Sequence, residues 1–203
     1  MLELGKTIKV RATYIEDVLG SGSANPKIHS EFIASKAPDA PSMKEEVEAI
    51  GVEAMEEKQK TVFSKDDNGN PFLWDYQIKG FFKGTCGFLR SIEGTSSSKI
   101  KNYKKKLDGL LFIEPRRVAL KMPEGSQIGD CQRSLRAQTM QGDRVALANS
   151  ESCAAGTEME FTVRILDEGL EKFVREALDY GEYSGIGQWR NSGKGRFVWA
   201  EVK

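Results

Sequence analysis

From Lys6 to Tyr14 apolar and polar positions alternate: Ile8, Val10, Ala12 and Tyr14 fall on one side, Thr7, Lys9, Arg11 and Thr13 on the other. A period of two is that of a half-buried strand. A second strict alternation covers 157–166, where Met159, Phe161, Val163 and Ile165 interleave with Glu158, Glu160, Thr162 and Arg164. Elsewhere the period changes. Ile78, Phe81, Phe82, Phe88, Leu89 and Ile92 recur at helical spacing over 75–92. Leu170, Phe173, Val174, Ala177 and Leu178 do the same over 168–180, with Asp167 placed as the cap. Short apolar runs at 144–148 and 196–202 read as strands.

Taken from the ends inward, these segments give strand, helix, strand, strand, helix, strand. That is the ferredoxin-like βαββαβ order of an α+β, RRM-like domain. The 203 residues suffice for one such core. We therefore expect a single domain over 1–203, with two large insertions at about 16–74 and 94–142. The first insertion would hold a short helix carrying Ile28, Phe32 and Ile33, then an acidic helix over 44–58. Asn68-Gly69 marks a hairpin. The second would hold a basic helix over 99–107 and two strands, 109–114 and 116–122, bent at Pro115.

Charge changes the picture only through its distribution. Lys and Arg number 30, and so do Asp and Glu. Acidic residues gather in 44–58, whereas Lys99, Lys101, Lys104, Lys105, Lys106, Arg116, Arg117, Lys121, Arg133 and Arg136 bias the second insertion to positive. A balanced chain with segregated charge can still hold a polyanion on one face. Cys86, Cys131 and Cys153 are scattered, with no CxxC pair, and fit a reducing cytoplasm. No apolar run reaches the ~18 residues of a membrane span, and the N-terminus lacks a signal-like run. The expectation is a cytoplasmic protein with no metal, no cofactor and no membrane partner.

The stretch 181–196 carries the most chemistry. Gly185, Gly187, Gly193 and Gly195 release the backbone for close approach and expose N–H groups. Arg190, Lys194 and Arg196 add charge, and Trp189 and Tyr183 offer stacking faces. A flexible connector between helix and strand is the competing reading. A Walker A loop is excluded: Gly187 to Gly193 encloses five residues, Gly195 follows Lys194 where Ser or Thr belongs, and a strand follows. Gly80, Gly84 and Gly87 interrupt the helix over 75–92, which points to helix–strand packing or to close approach of a ligand. Asp66-Asp67-Asn68-Gly69-Asn70 is a turn rather than a calcium loop.

Gly-Ile-Gly-x-x-Arg-x-x-Gly-x-Gly-Arg ahead of a final strand resembles the glycine-rich loop of the RAMP superfamily of CRISPR-associated proteins. Phe72-Leu73-Trp74-Asp75-Tyr76-Gln77-Ile78-Lys79-Gly80, followed by Leu89-Arg90, is similar to a segment of its backbone-type subunits. There Trp74 to Gln77 replace small residues. Ala155-Gly156-Thr157-Glu158-Met159-Glu160-Phe161 is similar to the entry to their central strand. The resemblance implies an RRM-like fold with a thumb-like insertion, single-stranded RNA binding and head-to-tail oligomers.

The expected function is binding of single-stranded RNA, or DNA, without catalysis, as a homo-oligomer or as a subunit of a ribonucleoprotein complex. The residues expected to meet the strand are Gln77, Lys79, Lys83 and Arg90 on the first helix, with phosphates at its N-terminal end near Tyr76. Lys99, Lys101, Arg133 and Arg136 join them from the insertion, and Gly185, Gly187, Trp189, Arg190, Lys194 and Arg196 from the loop. Two rival readings stand beside this one. One is a metal-independent endoribonuclease using His29, the sole histidine. The other is a viral anti-defence protein that mimics such a subunit.

Overall fold

The structure, a computed structural model, describes residues 5–23, 60–139 and 142–202. In chain order these form β1 (Lys6–Tyr14), β2 (Val18–Leu19), β3 (Gly22–Ser23), β4 (Thr61–Val62), β5 (Ser64–Lys65), β6 (Pro71–Trp74) and helix α1 (Asp75–Leu89). Then come α2 (Tyr103–Leu110), β7 (Leu111–Glu114), β8 (Arg117–Lys121), β9 (Gly129–Thr139), β10 (Gly142–Cys153), β11 (Glu158–Ile165), α3 (Glu171–Asp179) and β12 (Phe197–Glu201). The helices expected over 26–33 and 44–58 lie outside the described residues, as does His29.

The two alternating segments are the centre of an antiparallel sheet. β1 pairs β11 from Lys6↔Ile165 to Thr13↔Glu158, and β12 lies on the other edge of β1 from Val10↔Glu201 to Tyr14↔Phe197. The far edge of β11 is shared: β7 pairs Thr162 to Ile165, and β8 pairs Glu158 and Met159. The sheet continues through β6 to β5. Taken as core strands, the order is fourth, first, third, second, with α1 and α3 as the two crossovers. This is the ferredoxin-like arrangement, α+β with an antiparallel sheet.

One element differs from expectation. The second core strand is Leu111–Glu114 and Arg117–Lys121 together, and 144–148 is part of β10. A four-residue apolar run such as Val145 to Ala148 has no period that distinguishes a core strand from a hairpin arm. Residues 111–121 are split at Pro115, yet both halves lie along one neighbour, a pairing that local pattern does not encode.

Each strand buries one face. Ile8, Val10, Ala12 and Tyr14 of β1, and Met159, Phe161, Val163 and Ile165 of β11, are buried under Ile78, Phe81, Phe82, Cys86 and Leu89 of α1 and Phe173, Val174, Ala177 and Leu178 of α3. Phe82 meets Phe173 edge-on, and Phe81 meets Phe197. Asp167 caps the turn into α3 by accepting from the Gly169 N–H at 3.0 Å, as its position in the sequence predicts. Glu176 ties α3 to the segment after α1, accepting from Ser96 N–H, Ser97 N–H and the Ser97 hydroxyl. Burial opposes ionisation of its carboxyl, but these hydrogen bonds outweigh it and hold the group below its ordinary pKa.

The opposite face of the sheet is polar and self-paired. Arg11 donates to Glu160 directly across β1 and β11 at 2.8 Å, and Arg164 pairs with Glu114 at 3.1 Å. The Arg11 hydrogen bond holds the Glu160 carboxyl below its ordinary range, and Arg164 does the same for Glu114. Neither central strand places an aromatic ring there.

The described chain divides into two units. The first contains this sheet, α1 to α3, and the loops around them. The second, 19–63 and 128–152, is built on the long β9–β10 hairpin, in register from Gly142↔Thr139 to Ser152↔Gly129. Ser150 of β10 pairs in parallel with Thr61 of β4, and their hydroxyls are 2.6 Å apart. Glu151 accepts from the Phe63 N–H at 3.0 Å.

Candidate nucleic-acid interface

One side of α1 carries no side chain over the turn from Gly80 to Gly84. Tyr76, Gly80 and Gly84 recur every four residues and so share one side of the helix. Tyr76 is 61% exposed, and a Cβ added at Gly80 would meet nothing within 4 Å. At Gly84 the nearest atom to such a Cβ is a guanidinium nitrogen of Arg190, 3.7 Å away. No strand lies within 4 Å of a Cβ added at any of the three glycines; at Gly87 the neighbour is a helix, the Tyr103 hydroxyl of α2 standing 3.1 Å from such a Cβ. From Tyr76 to Gly84 the open stripe runs for about 12 Å at the helical rise.

The polar residues of α1 expected at the site mostly hold the protein together. Gln77 caps the helix, its Oε1 accepting from the Trp74 N–H at 2.7 Å. Asp75 Oδ1 accepts from the Tyr76 N–H at 2.8 Å, so a carboxylate sits at the first turn. Lys79 donates to the Asp108 carbonyl at 2.6 Å and lies over the Phe112 ring. Burial draws its ammonium below its ordinary pKa, against the opposite pull of Asp108. Lys83 pairs with the Asp108 carboxylate at 2.7 Å. Arg90 stacks over Tyr103, its guanidinium carbon 5.2 Å from the ring centre.

The glycine-rich loop is a folded object. Ile186 is buried, and its N–H donates to the Gly195 carbonyl at 2.9 Å. Around it two backbones cross at contact: a Cβ on Gly185 would lie 2.0 Å from the Gly195 carbonyl oxygen. Asp17, just after β1, pins the loop. Its carbonyl accepts from the Gly195 N–H, one carboxylate oxygen accepts from Lys194 at 2.8 Å and the other from the Ala155 N–H at 3.2 Å. Thus Ala155-Gly156-Thr157, the entry to β11, and the loop are joined through one aspartate. Arg196 donates to the Glu182 carbonyl. Gly187 and Gly193 take positive φ, as does Trp189, which is half-buried. Of the loop's three cations, Arg190 is exposed and forms no salt bridge among the described residues.

Lys194 thus occupies a structural position. Lys194→Ala is expected to lower stability by about 1 kcal/mol, the scale of a half-exposed charged hydrogen bond. The salt dependence of strand binding should stay as in the parent. A denaturant melt paired with a salt titration checks both; a changed salt slope with unchanged stability would reverse the assignment.

Lys99 and Lys101 are exposed on the segment between α1 and α2. Arg133 is exposed on β9 of the second unit, where Arg136 stands opposite Val145. The structure also gathers a group that the sequence reading did not select. The Trp74 ring stacks on Tyr76 with centres 6.2 Å apart and planes 13° from parallel. Arg116 and Arg117 lie over Trp74 at 5.8 and 5.5 Å. The signal was in the sequence as large aromatics where the resembling segment carries small residues, beside the pair Arg116-Arg117. Among the described residues no helix is long and apolar enough to cross a membrane, and no group of three or more His, Cys, Asp or Glu comes together as a metal site.

The fold has counterparts among solved structures. A chain of the type III-B Cmr-beta complex bound to cognate target RNA superposes with a TM-score of 0.56 at 11% identity, over 97% of this chain and 58% of that one. The protein therefore spans less than two thirds of that relative's length. A chain of a type IV-B CRISPR complex superposes with a TM-score of 0.49 at 10% identity, over 97% of this chain and 90% of that one. No family model matches the sequence, and no curated protein matches it.

Proposed function

We propose that the protein is a non-catalytic subunit of a CRISPR-type ribonucleoprotein and binds single-stranded RNA along the outward face of α1. The observation that carries this reading is the meeting of Arg190 with the open stripe Gly80–Gly84. The loop is braced through Asp17 and Ile186, and it presents a guanidinium without an ion pair among the described residues to a helix face that carries no side chain at Gly80 or Gly84. Such a cation on a bare backbone suits a polyanion. The two central strands suit it less well, because their outward Arg11 and Arg164 are already paired with Glu160 and Glu114 and neither strand places an aromatic ring on that face. The RNA-bound relative of the same fold supports the choice of ligand.

Head-to-tail association along the strand belongs to the same proposal, since heterologous contacts extend rather than close. Anisotropy titration of a labelled single strand of about 16 nucleotides, the upper site size of a single-strand module, tests the reading. Saturable binding that weakens between about 50 and 200 mM salt is expected. No binding at the lower salt, or cleavage of the strand by the purified protein, would overturn it.

A further inference from the structure

At the start of α1 the exposed Tyr76 continues inward into a stack. Trp74 lies nearly parallel to it, and Phe72 meets Trp74 edge-on at 5.0 Å. The Trp74 indole N–H donates to the Ser64 hydroxyl at 2.9 Å, which fixes the plane of the ring. Arg117 lies 5.5 Å from both the Phe72 and Trp74 ring centres, and Arg116 covers Trp74 as well. Neither arginine forms a salt bridge among the described residues; Arg117 acts on Asp66 only through its field, a minor part of what holds that carboxyl low. With one side of Tyr76 against Trp74 and the residue 61% exposed, its other side is open.

A flat open ring beside two guanidiniums selects a ligand that is planar and negatively charged. A cationic ligand would be repelled by the arginines, and a purely apolar one would leave them unmatched. A nucleotide meets both requirements, because every base has a π-face and every link a phosphate. Tyr76 is also the first position of the stripe that continues through Gly80 to Gly84. We infer that Trp74, Tyr76, Arg116 and Arg117 form a stacking site for one unpaired base of the strand carried along α1, with the guanidiniums against its flanking phosphate. The inference rests on the strand-binding reading above and adds to it a site that grips a base at one end of the stripe.

The test compares an oligoadenosine RNA of about 16 nucleotides with an abasic ribose–phosphate strand of equal length. Tyr76→Ala should bind the oligoadenosine roughly tenfold more weakly than the parent and the abasic strand equally well, the scale of one lost base–aromatic stack. Tyr76→Phe should bind as the parent does, since the ring and not the hydroxyl is used. Arg116→Ala should reduce the salt slope by about 0.7 on both strands. Tyr76→Ala binding oligoadenosine like the parent would overturn the stacking site and leave the strand-binding face standing. An equal loss on both strands would overturn it too, by showing a structural role. Adenosine monophosphate bound as tightly as the oligonucleotide would replace the strand with a free nucleotide. A parent that binds neither strand would overturn both readings.

Discussion

Gly195→Ala is expected to lose about 2–5 kcal/mol of folding stability. Gly195 has φ +74, and a Cβ there would stand 1.9 Å from the Ile186 carbonyl oxygen. Holding an L-residue in the left-handed region costs about 1–2 kcal/mol. Forcing the two backbones apart adds about 1–3 kcal/mol, because the obstacle is a peptide unit and not the end of a flexible side chain. Separating them would also strain the hydrogen bonds from Ile186 to Gly195 and from Gly195 to Asp17. Urea unfolding of parent and variant measures the loss. A loss below about 1 kcal/mol would mean that the crossing relaxes freely and that the loop is not braced as described.

Phe197→Ala is expected to lose about 3–5 kcal/mol, the range of a large aromatic removed from a packed core. Phe197 is fully buried and meets Tyr14 and Phe81 edge-on, with ring centres 6.2 and 5.4 Å away. It therefore joins β12 to β1 and α1. Its ring also fills the space in front of Gly181, where a Cβ would lie 2.5 Å from it. The cavity left by the substitution lies between Gly181, at the start of the glycine-rich loop, and Phe81 of α1. The same unfolding experiment measures it. A loss below about 1.5 kcal/mol would show that the loop, β12 and α1 are not packed through this ring.

The architecture was legible wherever periodicity was strict. β1, β11, α1 and α3 stand close to where alternation and helical spacing put them, and the βαββαβ order follows from them. What local pattern did not carry was partnership. The two halves of the second core strand read as strands bent at Pro115, but only their shared edge with β11 marks them as core rather than insertion. Glycines posed the same difficulty. Gly185 and Gly195 signal close approach, and the approaching chain is the protein's own, whereas Gly80 is open to solvent. Charge was the least legible property. Lys79, Lys83 and Lys194 are the phosphate contacts that the sequence suggests, and it gives no sign that each also meets a carbonyl or carboxylate of this chain. Asp17 gave no sign of its role, since its three partners come from 155, 194 and 195.

The central claim is that a single strand lies along α1 against Arg190. Its most direct test is the slope of log affinity against log salt for the parent and for Arg190→Ala, with folding checked by a melt. Arg190 makes no ion pair among the described residues, so its removal should leave stability within about 0.5 kcal/mol of the parent. The slope should fall by about 0.7, the loss of one phosphate contact to a single strand. An unchanged slope and unchanged affinity for a folded Arg190→Ala would contradict it.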